Sequence, residues 1–196
     1  LESIQRNGGH LLELVTDILD VMSLEEKKIE LINSTIDIAP LLQRCLEDTK
    51  ILADDKALAL HLNIPQALDE TTIFADAKRL RQIILNLLSN AIKYTDEGCV
   101  TLSVKNHTLR ITNCNIPSIA ITVSDTGCGI SEEQMPKLFQ KFSRQDSHLR
   151  SSTLGTGLGL VITRALVSMH GGCIEVESEP NQGSQFTVII PINSSR

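Results

Sequence analysis

The sequence predicts an α+β protein: a two-layer α/β sandwich, with helices on one face of a mixed sheet, preceded by one long helix. Three observations carry this. Segments with the period of amphipathic helices, at 1–25, 40–55, 76–94 and 157–170, are interleaved with short alternating or β-branched runs. The last two runs, 173–178 and 185–190, are joined by Glu179-Pro180-Asn181-Gln182-Gly183 and read as a hairpin, which argues against a doubly wound parallel sheet. Finally, 196 residues with 41% hydrophobic content suffice for one domain plus a helical appendage.

The elements follow in chain order. In the long helix, Ile4, Gly8, Leu11, Val15, Ile18 and Met22 alternate spacings of four and three, the seam of a bundle or coiled coil. Leu12, Leu14 and Leu19 widen that surface, which favours a helix shared between subunits over one lying on its own domain. Gly8-Gly9 weakens the first turns by about 1 kcal/mol per glycine relative to alanine. Beyond the charged Glu25-Glu26-Lys27-Lys28, the pattern predicts a strand at 29–38 and a helix at 40–55 opened by Pro40. A strand at 57–64 ends at Pro65, then come the helix at 76–94 and a strand at 99–104. Residues 105–117 read as a polar loop with a ragged strand at 109–112. A strand at 119–124 delivers Asp125, a short helix covers 132–138, and 140–154 is polar and irregular. The helix at 157–170 stops at Gly171-Gly172, ahead of the final hairpin.

Composition narrows the function. A net charge of −6 with no basic stripe argues against a nucleic-acid-binding surface. Cys45, Cys99, Cys114, Cys128 and Cys173 are scattered without a CxxC pair, which fits reduced thiols in a cytoplasmic setting rather than a zinc or disulfide framework. No apolar run nears membrane-spanning length, so a membrane anchor is expected only in segments outside this one.

Three motifs carry chemistry. On the 76–94 helix, Leu80, Ile83, Ile84, Leu87, Leu88 and Ala91 fall on one arc, which must face the sheet. Arg79, Gln82, Asn86, Asn90 and Lys93 share the other. A solvated polar face is the plain alternative, but asparagine is a poor helix former. Two asparagines one turn apart, followed by a lysine, suit a polyanion and its metal: the amide oxygen is a hard neutral ligand for Mg²⁺, and Lys93 meets phosphate charge. The second motif is the turn Asp125-Thr126-Gly127-Cys128-Gly129-Ile130. A carboxylate there can accept the exocyclic amine of adenine, with the glycines letting backbone approach the base; its alternative is a local Asp turn. The third, Gly155-Thr156-Gly157-Leu158-Gly159-Leu160, opens a helix whose backbone N–H groups can hold phosphate, or serves as a hinge. All three in this order make a nucleotide site the leading hypothesis.

Together these segments resemble the C-terminal kinase core of two-component sensor histidine kinases, in the GHKL (Bergerat-fold) ATPase superfamily. The resemblance rests on an asparagine box (Asn86 to Lys93), two glycine boxes (Asp125 to Gly129 and Gly155 to Gly159), and between them a phenylalanine box, Leu138-Phe139-Gln140-Lys141-Phe142-Ser143-Arg144. It covers residues 28–192, while residues 1–27 resemble the second helix of the dimerisation and histidine-phosphotransfer hairpin. It implies ATP as substrate and Mg²⁺ bridging the phosphates, with Asn90 as main metal ligand and Asn86 assisting. Asn86, Asn90, Lys93 and Arg144 form the implied catalytic set. Asp125 reads adenine, Tyr94 flanks the base, and Lys93 and Arg144 contact phosphate. Nucleotide contacts extend over Gly127, Gly129, Ile130, Phe142, Gly155, Thr156, Gly157, Leu158, Gly159 and Leu160. Residues 131–154 are the implied lid. A homodimer of the full-length protein and a response-regulator receiver domain are the implied partners.

One departure qualifies the resemblance. The family's phosphoacceptor motif, a histidine followed by an acidic residue and Arg/Thr-Pro, is absent around His10, His61, His107, His148 and His170. The acceptor helix is expected upstream of Leu1, so the chain should bind ATP without phosphorylating itself. Two other classes compete with a kinase. A gyrase- or chaperone-type hydrolase places a glutamate at the position of Asn86, and an amide cannot act as general base. A nucleotide-binding scaffold without activity is the third, against which the intact boxes argue.

Overall fold

The computed structural model describes residues 2–26, 28–111, 114–141 and 156–192, without the side chains of 2–7, 9, 10, 12, 13, 111 and 114. The order is α1 (Glu2–Glu25), β1 (Ser34–Asp37), α2 (Ile38–Asp54), β2 (Ala59–Asn63), β3 (Thr72–Ala75), α3 (Ala77–Tyr94), β4 (Cys99–Ile111), β5 (Cys114–Asp125), α4 (Gly159–Met169), β6 (Cys173–Glu179) and β7 (Gly183–Pro191). Short 3₁₀ turns lie at Gln66–Leu68 and Met135–Lys137.

Five strands form the main sheet in the order β2-β4-β5-β7-β6. β2 runs parallel to β4 and the other pairs are antiparallel, so the sheet is mixed as predicted. β1 and β3 make a separate antiparallel ribbon. The alternation of β4, β5 and β7 explains why a single helical layer suffices. Val100, Leu102, Val104, Ile119, Ile121, Val123, Phe186, Val188 and Ile190 join the core under the helices. On the opposite face the register sets Thr101 beside Ser124, Ser124 beside Gln185 and Thr122 beside Thr187. The last two hydroxyls lie 3.0 Å apart, so this face satisfies its own polar groups without a second apolar layer.

α3 supplies the centre of the core. Leu80, Ile83, Ile84, Leu87, Leu88 and Ala91 are all buried, as the helical arc requires. Truncating fully buried Leu88 to alanine would cost about 2–5 kcal/mol. α1 behaves differently. Val21 and Leu24 pack against the core, whereas Leu11, Val15, Ile18, Leu19 and Met22 stay exposed. One side of α1 rests on the domain, and its apolar seam faces away.

Three expectations need correction, and one strand, β3, was not expected. The strand expected over 29–38 is regular only at Ser34–Asp37, because its partner β3 offers four residues and α2 begins at once at Ile38. β3 escaped notice because its four residues follow the polar run Asp69-Glu70-Thr71. The polar loop at 105–117 is instead the outer half of a long hairpin, paired without a break from Val100↔Asp125 to Ile111↔Cys114. Backbone pairing rather than burial shapes it, so no hydrophobic period betrays it. The helix expected at 132–138 reduces to the 3₁₀ turn, since Pro136 removes an N–H donor and obstructs a continuing α-helix.

Candidate nucleotide-binding site

The site grows from the two ends of α3. Asp76 caps the N-terminus, its Oδ1 accepting the Arg79 N–H at 3.0 Å while Oδ2 accepts that of Ile32 at 2.9 Å. Burial alone would raise the Asp76 pKa, but these N–H groups and the neighbouring His170 hold it below the ordinary carboxylate value. His170 reinforces the cap: its Nε2 accepts the Asp76 N–H at 3.2 Å and its Nδ1 donates to the Leu166 carbonyl at 2.8 Å. The start of α3 and the end of α4 are thus joined.

Asn86 and Asn90 stand on the polar side of α3, as predicted. Asn86 Nδ2 donates to Thr163 Oγ1 of α4 at 2.7 Å. Asn90 Nδ2 reaches Asn86 Oδ1 at 3.5 Å, leaving Asn90 Oδ1 without a hydrogen bond among the described residues. The donor set therefore fits a hard cation: a neutral amide oxygen free to ligate, steadied by a second amide one turn away. Lys93 places its ammonium 5.1 Å from the centre of the Tyr94 ring. Arg79 and Gln82, on the same side nearer the N-terminus, are taken up by α1. Asp20 accepts Arg79 Nη1 at 3.0 Å and Gln82 Nε2 at 2.7 Å.

The first glycine turn is fastened to the C-terminus of α3. The Cys128 N–H donates to the Tyr94 carbonyl at 3.2 Å, and a Cβ on Gly127 would stand 2.3 Å from that oxygen. Gly129 has φ +66°, and a Cβ there would meet the Glu179 carbonyl at 1.9 Å. Both glycines are required by approaching backbone. Asp125 Oδ1 accepts the Gly127 N–H at 2.8 Å and that of Ser184 at 3.3 Å, whereas Oδ2 has no hydrogen bond among the described residues. Burial raises the Asp125 pKa despite those two donors. Ile130 is buried beneath the turn. Burial also raises the Cys128 thiol pKa, and the Asp125 carboxylate adds to the shift, which disfavours a reactive thiolate.

The second turn is held mainly through side chains. Thr156 Oγ1 accepts the Leu158 N–H at 3.1 Å and donates to Asp17 Oδ2 of α1 at 2.7 Å. Gly157 takes φ +68°, so α4 starts at Gly159 rather than at 157. A Cβ on Gly159 would lie 2.3 Å from Asn86 Oδ1, so the first turn of α4 sits directly on the asparagine box. Leu158 is buried and Leu160 packs against the core. In the phenylalanine box, Phe139 lies under the Arg164 guanidinium at 5.1 Å and Lys141 pairs with Glu25 of α1. Phe142, Arg144 and Gly155 lie outside the described residues.

Sequence reasoning missed the supports of the site. Thr163, Gly183, Ser184, Asp17 and Asp20 act through a hydroxyl, backbone or a carboxylate in unremarkable contexts. Gly183, at φ +91° with a Cβ position 1.9 Å from the Asp125 carbonyl, was the one with a visible signal, its place in the Asn-Gln-Gly turn. Among the described residues no group of three or more His, Cys, Asp or Glu could hold a metal, and no helix is long and apolar enough to cross a membrane.

Comparison with known proteins identifies the family. Residues 75–194 match the family model described as histidine kinase-, DNA gyrase B- and HSP90-like ATPase. The circadian input-output histidine kinase CikA of Synechococcus elongatus is 42% identical over 97% of this chain and 24% of its own length. The signal transduction histidine-protein kinase BarA of Escherichia coli is 38% identical over 95% of this chain and 20% of its own length. The chain thus spans about a quarter or less of these relatives. Full-length ShkA, crystallised with AMPPNP, superposes with TM-score 0.81 at 32% identity, covering 99% of this chain and 38% of that one. The Acinetobacter baumannii histidine kinase AdeS shares the fold at TM-score 0.74 and 22% identity, over 97% of this chain and 83% of its own. The chain belongs to the histidine kinase-, DNA gyrase B- and HSP90-like ATPase family, and its curated relatives are sensor histidine kinases.

Proposed function

We propose that residues 28–192 bind Mg-ATP and transfer its γ-phosphate to a histidine on a dimerisation hairpin, for onward transfer to a response-regulator aspartate. Residues 1–27 are read as the second helix of that hairpin, and the exposed seam of α1 as its share of a homodimer. The observation that carries the reading is Asp125: a half-buried carboxylate with one oxygen held by Gly127 and Ser184 and the other open to an adenine amine. Tyr94 and the first glycine turn would flank the base. Asn90, assisted by Asn86, would hold Mg²⁺, which when bound neutralises phosphate charge. Lys93, Arg144 and the N–H groups from Gly155 to Leu160 orient the phosphates, with Phe142 and Ile130 closing around the nucleotide.

Asn86 speaks against a hydrolase reading. Its amide is bonded to Thr163 and cannot take a proton from water. The γ-phosphate is then kept for a protein acceptor. Incubation with labelled ATP and Mg²⁺ tests this. The chain alone should acquire no acid-labile phosphate, an added acceptor hairpin should, and Asn90→Ala should abolish transfer and the Mg²⁺ dependence of binding. Rapid ATP hydrolysis without acceptor labelling would overturn the kinase reading. Phosphate on His10, whose side chain lies outside those described, would place α1 on the wrong hairpin helix.

A further inference from the structure

A helix of α3's kind leaves its last carbonyls without intrahelical partners. Here the carbonyls from Ala91 to Thr95 all have donors, and one side chain supplies most of them. Lys56 Nζ lies 3.1 Å from the Ile92 carbonyl, 2.8 Å from that of Lys93 and 2.9 Å from that of Thr95. Asp96 Oδ1 stands 3.4 Å from the same ammonium. Thr95 Oγ1 donates to the Ala91 carbonyl at 2.7 Å, and the Tyr94 carbonyl takes the Cys128 N–H. An ammonium has three N–H groups, so one lysine matches three carbonyls and opposes the negative end of the helix dipole. Lys56 comes from outside every nucleotide-binding motif. It sits in the tight turn after α2, aimed by Ala57, which adopts the left-handed φ of +54°.

The carbonyls it gathers belong to the backbone that carries Lys93 and Tyr94. The Tyr94 carbonyl is also the surface on which Gly127 and Cys128 rest. We propose that Lys56 is a positioning residue for nucleotide binding: its clamp on the end of α3 sets the spacing between Tyr94 and the Asp125–Gly129 turn, and thereby the fit of the base. The inference rests on the nucleotide-binding reading above.

Tyr94 provides a specific reporter, as the chain has one tyrosine and no tryptophan. Parent, Lys56→Met, Lys56→Arg and Arg81→Met chains are compared for ATP and GTP affinity, Tyr94 emission and thermal melting. Arg81 is the control: its exposed pair with Asp48, at 2.7 Å, also links α2 to α3 but lies away from the site. Lys56→Met should weaken ATP binding roughly tenfold, narrow the preference for ATP over GTP and change Tyr94 emission. Lys56→Arg keeps charge without the three-fold match and should fall between, which holds the test open if the methionine chain does not fold. Arg81→Met should leave affinity, selectivity and emission unchanged. Parental affinity, selectivity and emission in the Lys56 variants, or equal losses in Arg81→Met, would overturn the proposal. A parent chain that binds no ATP would instead fail the nucleotide-binding reading itself.

Discussion

The two glycine turns look alike in sequence and are built differently. The first is gripped by main chain on several sides: Tyr94 against Gly127, Glu179 against Gly129, and Asp125 against Gly183. The second is held largely by side chains, with Thr156 on Asp17, Asn86 on Thr163, and Gly159 over the Asn86 amide. Main-chain packing admits one arrangement, whereas side-chain hydrogen bonds can be exchanged singly for a ligand's. The lesson is a division of labour. On the proposed reading, the turn that would read the base is fixed in advance, and the turn that would hold phosphate can reorganise around a ligand.

The largest effect should separate the turns by stability. Gly129→Ala forces a left-handed alanine against a carbonyl and should lower unfolding free energy by about 2–4 kcal/mol. Gly157→Ala should cost about 1–2 kcal/mol for its left-handed backbone at φ +68°. Urea denaturation of both variants measures the difference, and equal losses would erase the distinction.

Next comes Asp125→Asn, which should weaken ATP binding by at least about tenfold and remove the preference over GTP. Its pH dependence sharpens the point. Burial raises the folded Asp125 pKa above the ordinary carboxylate value, so the folded state holds the proton more tightly between the two. Stability without ligand is therefore lost as pH rises through the folded pKa. At neutral pH the asparagine chain should melt no lower than the parent while losing the nucleotide. A large drop in melting temperature would make Asp125 a structural turn residue.

The smallest effects belong to the second turn. Thr163→Val frees Asn86 and should weaken ATP binding by roughly threefold, with little change in melting. Asp17→Asn loosens Thr156 and should cost under about 1 kcal/mol, as for other partly exposed polar contacts.

How much of this was legible beforehand follows the same physics. α3 showed itself because its buried arc repeats at the helical period, and Asn86, Asn90 and Lys93 stood out as unusual occupants of the far side. The first turn was visible through its glycines, although the backbone that demands them lies at Glu179, Gly183 and Tyr94. The hairpin over 105–117 reads as a loop in the sequence because solvent-facing pairing carries no hydrophobic signature. Lys56 and Thr163 were invisible for a similar reason: a lysine after a helix or a threonine within one announces nothing until the fold supplies its partner.

Residue-resolved amide exchange, with and without AMPPNP and Mg²⁺, tests the division of labour most directly. Gly127 to Ile130 should be protected in both states, and Thr156 to Leu160 should exchange readily alone and become protected with nucleotide. Equal protection of the two turns without nucleotide, or a first turn ordered only by ligand, would contradict it.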